Sequence, residues 1–293
     1  MTIPMTSPRT LLLILTLTAL ASFAPTPAAQ PLDGLDQSPA QPYRILITND
    51  DGVRAPGILA VARALKPVGE VTIVAPAINQ SGKGHSITIE DPIYVDSVTL
   101  SGDVPATSVT GTPATSVKVA LGALLDRKPD LVVSGINRGW NLGAVAYVSG
   151  TVGAAREAAL AGLPAIAASL SAEETNYAPA AQVVRQVVEV ARTTGMARGV
   201  FLNVNIPAGP ATAIKGIQLT RQSALTGVER FEEQRSPRGR RYFWSVWNEP
   251  TGDAEGTDVW AIEHGYAAVT PLRATEFDAA AYEKFRGVIG RQP

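Results

Sequence analysis

From Arg44 onward the chain alternates short apolar runs with stretches of helical periodicity. RILIT (Arg44 to Thr48) is apolar almost throughout, as a buried strand is. In APGILAVARALKPVG, Ile58, Val61, Ala62 and Leu65 fall at i, i+3, i+4 and i+7, one face of a helix, and Pro56 suits its first turn. EVTIVAP (Glu70 to Pro76) is β-branched and closed by proline, which predicts a second strand. Strand, helix and strand at this spacing make a βαβ unit, and such units imply a parallel sheet.

The alternation continues downstream. TPATSVKVALGALL offers Thr112 as a cap, Pro113 at the first helical position, and Val117, Ala120, Leu121 and Leu124 on one face. DLVVSG (Asp130 to Gly135) reads as a strand and TVGAAREAALAG as a helix entered at Ser149, Gly150 and Thr151. PAIAASL is a further strand, PAAQVVRQVVEVARTTG a helix, and VFLNVNIP a strand ended by Pro207. Past Ala208 the character changes: an Arg-rich stretch, Arg230 to Arg241, runs into the aromatic strand candidate YFWSVW, and GTDVWAIEHGYAAVTPL carries short β-like runs. Residues 43–207 thus read as an α/β core, and 208–293 as β-hairpins and loops able to reach onto a partner subunit.

The N-terminal segment reads as an address. Arg9 precedes the apolar run Leu11 to Ala24, small residues follow, and no acidic residue appears before Asp33. That is the layout of a secretory signal peptide, with cleavage expected after Ala28 or Ala29. The run is shorter than the roughly 20 residues a membrane-spanning helix needs. The expected organisation is a signal peptide over 1–29, a linker over 30–42, and a folded unit from Tyr43. An exported protein, periplasmic in a bacterium and free of the membrane after cleavage, is the corresponding expectation.

Composition narrows the chemistry. With 45% hydrophobic and 17% charged residues the chain is globular, and a net charge of −1 argues against binding a nucleic-acid polymer. No cysteine is present, so disulfides and thiolate chemistry are excluded. Two histidines cannot build a histidine metal cluster, and no Gly-x-Ser-x-Gly elbow occurs.

Ligands of open parallel sheets gather beyond the carboxyl ends of the strands. The segments there read TNDDG, APAINQSGKGHS and SGINRGWNLG, rich in oxygen donors and glycine. Asp50 and Asp51 are adjacent like charges at the end of an apolar strand. An all-oxygen site around them would suit a hard cation such as Mg²⁺, Mn²⁺ or Ca²⁺. Asn-Asp-Asp-Gly is also a good turn sequence, so the pair alone leaves both readings open. SGKGHS (Ser81 to Ser86) is a flexible cationic loop of the kind that cradles phosphate, although it is not a Walker A motif. Ser149, Gly150 and Thr151 open a helix whose free N–H groups favour an anion, and a plain cap would use the same residues. Asn79-Gln80-Ser81 matches a glycosylation sequon, a pattern common by chance.

Taken in order, these segments resemble the SurE family of metal-dependent survival-protein nucleotidases. The matching runs are RILITNDDGVRAPGI, VTIVAPAINQSGKGHSITI, TGTPATSVKVAL, PDLVVSGINRGWNLG, YVSGTVGAAREAALAGLPAIA, LNVNIP and GTDVWAIEHGYAAVTPL. The resemblance implies hydrolysis of nucleoside 5′-monophosphates by a Rossmann-like α/β core, with a C-terminal hairpin and an arm exchanged within a homodimer or homotetramer. It further implies one divalent cation per subunit, held by Asp50, Asp51, Ser81 and Asn137, with Asn49 beside them and Asp50 as the candidate base. Gly82, Lys83, Gly84, His85, Asn141, Ser149, Gly150 and Thr151 would then bind the phosphoryl group. The run AVAYV (Ala144 to Val148) departs from the family pattern, lacking its acidic residues and its Tyr before SGT, and Gly84 replaces a serine found in some members. A broader phosphatase acting on 3′-nucleotides or short polyphosphate, and a non-catalytic nucleotide binder, are the alternatives.

Overall fold

The computed structural model describes residues 41–289; the expected signal peptide, and all but the end of the expected linker, lie outside the described residues. In chain order the elements are β1 (Arg44–Thr48), α1 (Pro56–Leu65), β2 (Glu70–Pro76), β3 (Val95–Leu100), β4 (Val104–Val109), α2 (Pro113–Val119), β5 (Leu131–Arg138), α3 (Gly150–Leu160) and β6 (Ala165–Leu170). They continue with α4 (Ala178–Thr194), β7 (Val200–Ile206), β8 (Ile217–Leu219), β9 (Val228–Arg235), β10 (Arg241–Asn248), α5 (Asp258–Glu263), β11 (Ala267–Arg273) and α6 (Ala279–Ile289).

The predicted βαβ alternation holds from β1 to β7 except between β2 and α2, where the unexpected strands β3 and β4 intervene. One sheet of nine strands runs β3-β4-β2-β1-β5-β6-β7-β11-β8, and β9 with β10 forms a separate two-stranded ribbon. The strands from β4 to β7 pair in parallel. The sheet is nevertheless mixed: β3 is antiparallel to β4, and β11 is antiparallel to β7.

The apolar character of β1 follows from its central place. Ile45 and Ile47 enter a core with α1 and α4, whereas Leu46 enters the opposite core with Val117 of α2 and Val152 of α3. A strand covered on both faces has no position for a polar side chain until it leaves the layers. It leaves them at Asn49, and the carboxylates begin there. Burial of one such leucine or isoleucine stabilises the fold by about 2 kcal/mol. α3 packs through Ala154, Ala155 and Ala158, small residues that let it lie close to the sheet.

Two parts of the tail differ from expectation. DVWAIE is helical (α5), because Thr257 caps it by accepting a hydrogen bond from the Trp260 N–H, and the β-branched and aromatic residues do not outweigh that cap. The end of the chain holds α6, in place of the expected loops and hairpins. The aromatic strand candidate is β10, paired with β9 in full register from Arg241 with Arg235 to Asn248 with Val228.

Candidate active site

The parallel strands end on one edge of the sheet, and Asn49, Asp50 and Asp51 follow β1 there. Asp50 is 3% exposed and Asn49 fully buried. The Asn49 side-chain N–H donates to the Gly52 carbonyl (2.8 Å), while its Oδ1 has no partner among the described residues. The Thr151 hydroxyl, one residue into α3, donates to Asp50 Oδ1. α3 begins against the carboxylate itself: a Cβ on Gly150 would lie 2.8 Å from the Asp50 Cβ.

Burial pushes the Asp50 carboxyl up to about 6, with Asp51 adding to the rise and the Thr151 hydroxyl opposing it. Asp51 is also raised by burial, opposed by the Arg138 N–H, which donates to its Oδ2 at 3.0 Å. Among the described residues neither aspartate forms an ion pair within 4.0 Å. The Arg138 charge eases Asp51 but not Asp50; two adjacent, largely desolvated carboxylates remain costly, and a bound cation would offset that cost.

The loop after β2 folds over this pair. The Gln80 N–H donates to the Asp50 carbonyl (2.7 Å), and Asn79 accepts from the Ser81 N–H (2.9 Å). Ser81, Gly82 and Lys83 are exposed, whereas Gly84 is buried against α3. Gly82 and Gly84 take φ of +74° and +55°, a region that favours glycine. The N–H groups of Lys83 and Gly84 already donate, to Gln80 O and Val148 O, so Gly82 is the one of this trio with no acceptor among the described residues. His85 Nε2 lies 2.8 Å from Glu157 Oε2 on α3.

β5 supplies the third segment and runs three residues beyond its expected end. Its register with β6 shifts between Ser134 and Asn137, a bulge that re-aims the side chains beyond it. Asn137 is buried and donates to the Gly139 carbonyl (2.7 Å). Asn141 sits in a polar network that motif reading missed: its N–H donates to Asn205 Oδ1, its side chain to Ser169 Oγ, and its carbonyl accepts from Asn203. Ser149 caps α3 by accepting from the Val152 N–H (3.2 Å).

The structure thus brings Asn49, Asp50, Asp51, Gly150 and Thr151 into direct contact, with Gln80 and Arg138 tied to them through their backbone N–H groups, whereas Ser81 is bonded to Asn79. Glu157, Asn203 and Asn205 stand out only in the folded chain, and so, but for one short sequence signal, does Asp258. The last is fully buried and accepts from the N–H groups of Gly143, Ser223 and Val259. An Asp behind a capping Thr, as in GTD, is the sequence signal that points to it.

The donor set fits a hard cation. Among the described residues no group of three or more His, Cys, Asp or Glu gathers to hold a metal. A cation here would therefore complete its shell with neutral oxygens, and the partnerless Asn49 Oδ1 stands beside the carboxylates.

The family model of survival protein SurE matches residues 45–227. The 5′-nucleotidase SurE of Geobacter sulfurreducens is 45% identical over 231 residues, covering 78% of this chain and 87% of the relative. That of Symbiobacterium thermophilum is 43% identical over 242 residues, covering 80% and 94%. The crystal structure of the SurE protein from Aquifex aeolicus superposes with a TM-score of 0.74 at 37% identity, over 84% of this chain and 99% of that one. Sequence, fold and the layout of the strand ends agree, and the chain belongs to the SurE family.

Proposed function

We propose that this protein is a metal-dependent phosphomonoesterase that hydrolyses nucleoside 5′-monophosphates to nucleoside and phosphate. The observation that carries the reading is the buried Asp50 carboxylate, next to Asp51, with no cationic side chain among the described residues to balance it. Relatives at 42–45% identity bear the name 5′-nucleotidase, which supplies the substrate class.

One divalent cation, held by Asp50 and Asp51 with Ser81 and Asn137, would neutralise phosphate charge and orient a water for in-line attack. Thr151 holds one oxygen of Asp50 and fixes the carboxylate's orientation. Asp50 is the candidate base for the attacking water; burial raises its proton affinity, and a bound cation would lower it again. The exposed Gly82 N–H and the Lys83 ammonium would meet the phosphoryl oxygens, with Ser149 at the start of α3 and His85 in the same loop as further candidates for that group. Asn141 is held by Asn203, Asn205 and Ser169 for the same group.

The exposed aromatics Phe231, Phe243 and Trp244 on β9 and β10, and an α6 that buries none of its residues, support assembly into a homodimer or homotetramer. Light scattering of the purified protein distinguishes these from a monomer. The segment 1–29 supports export, which requires the mature protein to lack Met1 and to be recovered outside the cytosol.

The central test is phosphate release from 5′-AMP with Mg²⁺ or Mn²⁺, beside an EDTA control, 3′-AMP and tripolyphosphate. Release from 5′-AMP that EDTA abolishes supports the reading. Wild-type protein inactive on 5′-AMP with every metal overturns it.

A further inference from the structure

The aspartate cluster and its phosphate loop leave one partly buried polar contact unused. Glu157 lies in the third turn of α3, its side chain 14% exposed, with Oε2 2.8 Å from His85 Nε2 and Oε1 3.2 Å from Lys118 Nζ. The His85 hydrogen bond, the largest influence, holds the Glu157 carboxyl below its ordinary range against the effect of burial. His85 belongs to the loop Ser81 to Ser86, and Glu157 belongs to the helix whose first turn touches Asp50. The contact therefore joins the two elements that would share the phosphoryl group.

The surrounding backbone shows how close that join is. A Cβ on Gly153 would lie 2.2 Å from the Gly84 carbonyl oxygen, so only glycine permits the loop to lie on α3 here. The Gly84 N–H donates to Val148 O (2.9 Å), just before α3. On the far side the Thr112 hydroxyl donates to the Ser86 carbonyl (2.6 Å). The downstream half of the loop is thus pinned at Gly84, His85 and Ser86, while Ser81 to Lys83 stay exposed. Of these pins, His85 with Glu157 is the one made by a charged side chain, and charge-assisted hydrogen bonds are the stronger kind.

We propose that Glu157 is a positioning residue: by holding His85 it fixes the loop Ser81 to Ser86 against the start of α3 and so sets the geometry in which the loop meets a phosphoryl group. This rests on the phosphomonoesterase reading for its ligand, and on the contact alone for its structural part.

Glu157→Leu keeps the buried volume and removes the acceptor; Glu157→Gln keeps a neutral acceptor. In the full chain with Mn²⁺, Glu157→Leu should raise KM for 5′-AMP about ten-fold while kcat changes about three-fold or less. Glu157→Gln should fall between Leu and wild type. Amide hydrogen exchange at Gly82 to Ser86 should quicken in Glu157→Leu, with α1 unchanged. Arg185→Gln, which breaks an exposed ion pair with Glu189 on α4, serves as a control that leaves KM and loop exchange as in wild type. Equal KM values for Leu, Gln and wild type, or a loosening of α1 and the loop alike, overturn the proposal. If wild-type protein releases no phosphate from nucleotides, the functional reading fails, and the positioning role is decided by loop exchange alone: unchanged exchange overturns it.

Discussion

Thr151 gives its hydroxyl hydrogen to the carboxylate of Asp50, across 101 residues of sequence. The anion at the start of α3 is therefore in the first instance an aspartate of the protein itself. The partial positive charge of that helix end and a hydroxyl jointly hold a charge that burial disfavours. Removal of the hydroxyl by Thr151→Val leaves Asp50 free to turn, and kcat should fall by about 10- to 100-fold. Steady-state kinetics on 5′-AMP measures it. Unchanged kcat would mean that the bond does not orient the carboxylate.

Asp50 also makes a prediction about stability. Its folded-state proton affinity is raised from 3.8 to about 6, so the folded protein binds more protons than the unfolded one across that interval. Stability of the metal-free protein is lost as pH rises through this window. Asp50→Asn removes the charge, and at pH 8 without metal the variant should be more stable by on the order of 2–3 kcal/mol, read as a higher melting temperature. The gap should close below about pH 4, and the same variant should be inactive with metal. Thermal melts at pH 4 and pH 8 in EDTA test it.

Glu157 predicts the opposite sign. Its folded value lies below the ordinary 4.5, so its contribution is present above that pH and is lost as pH falls through the folded value. Glu157→Leu should destabilise by about 1–2 kcal/mol at pH 7. Urea unfolding at pH 7 and in steps below 4.5 should show the difference shrinking with acid. A difference independent of pH would point to packing and not to the charge.

Gly153→Ala should be among the more damaging single-methyl additions in the protein. The added carbon meets the Gly84 carbonyl at 2.2 Å, so loop or helix must move. A loss of about 1–3 kcal/mol is expected, together with a raised KM. Ala at Gly287 in α6, where a Cβ meets nothing within 4 Å, is the comparison that should leave stability as it is or raise it.

Asp258 anchors the tail to the core. Its carboxylate accepts from Gly143 and Ser223, which lie on segments far apart in sequence, and from Val259. Asp258→Ala leaves these N–H groups without that acceptor. The cost should be about 2–4 kcal/mol, read as a fall in melting temperature of several degrees.

Much of this arrangement is legible in the sequence. β1, α1 and β2, and later β5 through β7, announce themselves because central parallel strands are buried on both faces and their helices show a clear apolar stripe. The NDDG segment is visible for the same reason, polar residues at the point where an apolar strand stops, and SGT because hydroxyl residues open a helix. β3 and β4 are not, since VDSVTL and VPATSV lie at the sheet margin, carry exposed polar positions and lack an apolar run. α5 reads as strand because six residues are too few to show a period, and α6, none of whose residues is buried, escapes notice. Contacts such as Thr151 with Asp50 or His85 with Glu157 join segments far apart in sequence, which periodicity does not register. The sequon residue Asn79 proves to be a loop-shaping one, accepting from Ser81.

The order of strands at one margin has a consequence for synthesis. β11 enters between β7 and β8, so β7 keeps an open edge until residues 267–273 have left the ribosome. An emerging chain can assemble β1 through β7 early, yet it carries a sticky strand border through translation of the whole hairpin region. Chains ended prematurely anywhere before Ala267 would keep that border for good. They should accumulate as aggregates, and chaperone demand should peak in the last stage of translation.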